Sequence, residues 1–91
     1  MKKLVEAVLY DNTGKMIFAY VLKTSTIKTF AGIKHIAELE DDADAQVQLD
    51  DTIILAAKRF AKKYAGAYGI IIDHIVIYND YANTAKKYSI R

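Results

Sequence analysis

The feature that most constrains this chain is the run Ile70-Ile71-Ile72-Asp73-His74-Ile75-Val76-Ile77, which ends in Tyr78-Asn79-Asp80. β-Branched residues crowd the preceding turn of a helix and pack well on a pleated surface, so the run is a strand. A near-continuous apolar strand is covered on both faces and lies in the middle of a sheet. Asp80 then stands at the carboxyl end of a central strand, where open α/β sheets place ligands and metals.

The rest of the chain supplies partners for that strand. Leu4 to Tyr10 reads as a first strand, Asp11-Asn12-Thr13-Gly14-Lys15 as a turn, and Met16 to Lys23 as a second strand, forming an antiparallel hairpin. Residues 26 to 40 fit either a strand or a helix. A strand places Ile27, Thr29, Ala31, Ile33, His35, Ala37 and Leu39 on one face; a helix gathers Ile27, Phe30, Ile33, Ile36, Ala37 and Leu39, with Ser25 or Thr26 as cap. Asp41 to Asp44 is a polar break. A helix then starts near Asp50 or Asp51, with Ile53, Ala57, Phe60, Ala61 and Tyr64 as its apolar stripe. It ends in Ala65-Gly66-Ala67-Tyr68-Gly69. Tyr81 to Tyr88 is expected to be a short closing helix capped by Asp80. The expected architecture is one domain over 1–91, of the α/β class: a mixed sheet with an N-terminal antiparallel hairpin and a helix crossover.

Composition narrows the function classes. An apolar fraction of 53% and a charged fraction of 26% are those of a globular domain. No stretch is long and apolar enough for a membrane span, and Glu6 interrupts the N-terminal apolar run, so neither a membrane partner nor a signal peptide is expected. The lack of cysteine fits a cytoplasmic location and excludes thiolate metal sites. A formal charge of +2 does not by itself imply nucleic acid. Acids gather at residues 38–51, while Lys58, Arg59, Lys62, Lys63, Lys86, Lys87 and Arg91 form basic groups. These are either solvated helix faces or an acidic metal pocket flanked by bases that steer phosphate. Asp41, Asp42 and Asp44 lack the glycine and terminal glutamate of a calcium loop. His35 and His74 have no metal-pair spacing.

Val8-Leu9-Tyr10-Asp11, and Ile77-Tyr78-Asn79-Asp80-Tyr81 followed by Lys86 and Lys87, resemble the acid-bearing strands of the ribonuclease H-like superfamily, in a shortened or degenerate form. The resemblance implies a truncated ribonuclease H-like fold. It also implies a divalent-metal-dependent nuclease in which Asp11, Asp51 and Asp80 hold Mg²⁺ or Mn²⁺ and cut RNA or DNA phosphodiesters. Each acid has a second reading. Asp11 is ordinary hairpin-turn chemistry, and Asp51 and Asp80 are helix caps. The helix acid of the family is usually glutamate and nearer the crossover-strand acid, and the chain stops short of the family's last strand and helix. The favoured expectation is therefore a small binding module of inhibitor or adaptor type, without catalysis or cofactor. Its contact surface would include Lys58, Lys62, Tyr81, Lys86 and Lys87, with a protein or a nucleic acid as partner. An uncovered sheet edge would also suit a homodimer.

Overall fold

The computed structural model describes residues 2–91. Strand β1 (Val5–Asp11) turns into β2 (Met16–Val21). Helices α1 (Thr24–Ala31), α2 (Glu38–Asp41) and α3 (Ala43–Tyr68) follow, and the chain ends in strands β3 (Ile72–Asn79) and β4 (Thr84–Ser89). The sheet order is β2-β1-β3-β4, so the apolar run is central, but it is not covered on both faces as expected: the core packs on the Ile75 and Ile77 side, and Val76 and Tyr78 are half-buried or exposed on the other.

The sheet is antiparallel throughout, not mixed. The helix crossover exists, but it leaves from β2 and skips over β1 to reach β3. One long pass of α3, about 39 Å at 1.5 Å per residue, carries the chain back up before β3 descends. β2 and β3 therefore run parallel to each other, and β1, antiparallel to both, separates them.

Register assigns the two faces. Val5 pairs with Asn79, Ala7 with Ile77 and Leu9 with Ile75, and Val5, Ala7, Leu9, Ile75 and Ile77 join the core that the helices complete. Along α3, Ala45, Leu49, Ile53 and Ala57 are buried at four-residue spacing, the stripe that packs on the sheet. Glu6, Val8 and Tyr10 alternate to the opposite face, beside Tyr78, Val76 and His74. Val8 is buried yet lies outside the core cluster, which marks that second face as free of helices.

Three segments differ from the sequence-based reading. The helix starts at Ala43 rather than near Asp50, because the Asp42 side chain accepts the Ala45 N–H at 3.1 Å and the stripe extends back to Ala45. Residues 26 to 40 contain no strand and are helical only at their two ends: α1 begins after Lys23, without a side-chain cap from Ser25 or Thr26, and stops at Gly32, whose φ of 69° is left-handed, and turns over residues 32–37 lead into α2. Residues 81 to 88 return as a turn and strand β4 instead of a helix. The Asn79 carboxamide accepts the Tyr81 and Ala82 N–H groups, and Asn83 at φ 54° reverses the chain, so Asp80 caps no helix.

Candidate functional site

The three acids expected at a metal centre do not meet. Asp11 closes β1 opposite Ile72, whereas Asp80 follows Asn79, the partner of Val5 at the other end of the same ladder. Six residues of strand, about 20 Å, separate them. Asp51 is exposed in the middle of α3, beside a shallow depression lined by Asp44, Val47 and Leu55. Among the described residues, no group of three His, Asp or Glu side chains is placed to hold a metal ion.

Each acid has a local task. Asp11 Oδ1 accepts the Thr13 hydroxyl at 2.6 Å and the N–H groups of Thr13 and Lys15 at 2.9 Å. These donors, the hydroxyl foremost, hold its carboxyl below the usual range. Asp80 Oδ2 accepts the Leu4 N–H at 2.8 Å while its own N–H donates to the Leu4 carbonyl, extending the β1–β3 ladder by one residue.

The expected contact residues are scattered as well. Lys58 and Lys62 are exposed on α3. Tyr81 packs against the edge of the core with the Lys3 ammonium 5.9 Å above its ring. Lys86 and Lys87, neighbours in a strand, project to opposite faces: Lys86 pairs with the core-facing Ile77 and Lys87 with Val76.

Two polar clusters lie elsewhere. The Tyr88 hydroxyl donates to Asp50 Oδ2 at 2.6 Å, and burial pushes the Asp50 carboxyl up despite that bond. At the far end of β3, a bulge at Asp73 lets adjacent side chains approach. His74 Nδ1 lies 3.0 Å from Asp73 Oδ2, Arg91 donates to Asp73 Oδ1 at 3.3 Å, and Tyr10 stacks on the imidazole at 4.9 Å. The histidine contact, then the guanidinium, hold the Asp73 carboxyl low. The Tyr10 hydroxyl reaches toward that of Tyr78, which raises its pKa.

The best-formed concavity is apolar. It lies where α1 and α3 diverge from β2, a cleft of about 230 Å³ lined by Phe18, Tyr20, Phe30, Ile53 and Phe60 among others. Of its lining side chains, only Thr26 and Tyr20 carry a polar atom. An aromatic ladder runs along its rim. Tyr20 and Phe18 centroids are 6.5 Å apart, Phe18 and Phe60 5.0 Å, Phe60 and Tyr64 5.5 Å, and Tyr64 and Tyr68 4.7 Å.

β2 forms one wall of the cleft and one edge of the sheet. It is the most exposed strand, although every residue from Met16 to Leu22 is apolar or Tyr: Met16 is 57% exposed, Phe18 42%, Tyr20 and Val21 46%. Edge strands are commonly protected by charge or proline, and this one has neither inside the run. The sequence shows Phe60, Tyr64 and Tyr68 at helical spacing. What it does not show is that β2 is an edge, because that depends on β3 docking beside β1 and not beside β2.

Among the described residues, no helix is long and apolar enough to cross a membrane. Comparison with protein-family models, curated proteins and solved structures found no match to this chain.

Proposed function

We propose that this chain is a small non-catalytic interaction module of adaptor or inhibitor type. It takes up an extended protein segment along the free edge of β2, with side chains of that segment entering the adjoining aromatic cleft. The observation that carries this reading is the coincidence of an uncharged, exposed edge strand with an apolar groove on the same strand. Strand addition draws affinity from main-chain hydrogen bonds and specificity from pockets that accept alternate side chains. Both parts are here within six residues.

The nuclease alternative has less support, since Asp11 and Asp80 lie at opposite ends of the ladder. The ribonuclease H-like resemblance rests on the short sequence stretches that end in Asp11 and Asp80, and the antiparallel seating of β3 on β1 sets those two acids apart.

The test is a titration of dilute isotopically labelled protein with a blocked hexapeptide bearing aromatic residues at alternate positions. Saturable amide shifts confined to β2, Ile53 and Phe60, abolished by Phe18→Asp, support the proposal. Shifts confined to the Tyr10–His74–Tyr78 face, or none at millimolar peptide, overturn it.

A further inference from the structure

We infer that the segment occupying this edge is β2 of a second copy of the same chain, paired antiparallel about a two-fold axis through Ala19. This rests on the reading of the β2 edge as the contact surface.

Hydrogen bonding fixes which groups are free. The Leu22 N–H donates to the Val5 carbonyl at 2.9 Å, so Leu22 directs its main-chain groups toward β1. With a period of two, Tyr20 and Phe18 do the same, and Ala19 and Val21 direct theirs outward. A two-fold axis at Ala19 makes the two alanines a hydrogen-bonded pair that exchanges both bonds. Phe18 of each copy then lies directly opposite Tyr20 of the other, in the closely spaced class of pair. These are the cleft-facing aromatics, so the two rim ladders join across the axis.

The residue types suit that arrangement. Ala19 is the smallest side chain in β2, and it stands at the middle of the uncharged run from Met16 to Leu22. No like charges meet within β2, and the lysines that flank it, Lys15 before the strand and Lys23 after it, bring like charges near one another at each end of the antiparallel pairing. Added salt therefore tightens the dimer by screening that repulsion. The four large exposed β2 side chains leave roughly 400 Å² accessible per copy, given about 150–250 Å² for large side chains. That is about half of an ordinary interface of ~800 Å² per partner, before strand backbones and cleft walls are counted. The dimer is thus of moderate affinity, in keeping with an adaptor that exchanges its second copy for a partner's strand.

The chain has no cysteine, so Ala19→Cys introduces a single thiol. A hydrogen-bonded antiparallel pair has Cα atoms about 5.5 Å apart, inside the ~4.4–6.8 Å that a disulfide spans. Mild oxidation of this variant is expected to yield a covalent dimer at least tenfold faster than Ala85→Cys, an exposed control on the opposite edge strand. Sedimentation of the unmodified chain should show its 10.2 kDa mass doubling as concentration and salt rise. Ala19→Pro removes only an outward N–H, and it should weaken association at least tenfold with an unchanged far-ultraviolet circular dichroism spectrum. A monomer at millimolar concentration, equal cross-linking of the two variants, or a dimer unaffected by Ala19→Pro overturns the inference. If the chain stays monomeric while the aromatic hexapeptide still binds β2, the second copy is excluded and the edge reading stands. Loss of both removes both.

Discussion

The Tyr88 hydroxyl donates a 2.6 Å hydrogen bond to Asp50 Oδ2, joining the last strand to the N-terminal third of the long helix. Among the described residues, Asp50 is one of two buried polar residues, only 8% exposed, and Lys86 on the same face of β4 is the nearby cation that moderates its burial. β4 contacts the sheet through β3 alone, so this bond is its polar attachment to the helical layer.

Tyr88→Phe leaves a buried carboxylate without its donor and is expected to cost about 1.5–3 kcal/mol in denaturant unfolding. Asp50→Asn keeps an acceptor oxygen and removes the cost of burying charge, so it should be neutral or stabilising at pH 7. In the Asp50→Asn background, Tyr88→Phe should cost only about 0.5–1.5 kcal/mol. Equal costs in both backgrounds would show that the pair is not coupled.

Stability at acid pH separates the carboxylates by sign. Asp11 and Asp73 have depressed values in the fold, so their stabilisation is present above the unfolded carboxylate range near pH ~4 and is lost as pH falls below it. Asp50 is raised, so its contribution is largest below that range and is lost as pH rises through its folded value. Unfolding midpoints measured from pH ~2 to 6 should therefore show a shallower acid loss for Asp73→Asn than for the parent. Asp50→Asn should show a steeper one.

The fold was legible where local chemistry decides it. The hairpin around Asp11 to Lys15 follows from a turn aspartate and a left-handed Gly14, and the central strand from its β-branched run. Residues 81 to 88 were not legible as a strand. Their return depends on the buried Asn79 carboxamide holding the turn and on a left-handed Asn83, and helix-forming alanines and lysines obscure both. The aspartates illustrate the same limit: Asp11 and Asp80 both end strands, and only the direction of β3 reveals that they end at opposite sides of the sheet.

The two acids can be tested as structural groups. Asp80→Ala removes the acceptor for the Leu4 N–H and is expected to cost about 0.5–1.5 kcal/mol, while Asp80→Asn retains most of that bond. Because Asp11, Asp51 and Asp80 are apart, Mg²⁺ and Mn²⁺ titrations should give no saturable shifts shared by all three amides. A common saturable response would restore the metal reading.

Two glycines predict opposite outcomes. Gly32 ends α1 at φ 69°, and a Cβ there would meet Gln48 Nε2 at 2.7 Å. Gly32→Ala should destabilise by about 1–2 kcal/mol, mainly through left-handed strain, because the Gln48 side chain can move. Gly66 lies inside α3 with open space around it, so Gly66→Ala should stabilise by about 0.5–1 kcal/mol. Thermal or denaturant unfolding checks both.

The most direct test of the β2 edge as contact surface is residue-resolved amide hydrogen exchange along that strand, in dilute protein with and without saturating aromatic hexapeptide. Exchange is expected to be slow at Phe18, Tyr20 and Leu22 throughout, and fast at Ala19 and Val21 until binding slows it at least tenfold. Unchanged exchange at Ala19 and Val21, with new protection at Lys87 on the opposite edge strand, would contradict this reading of the β2 edge.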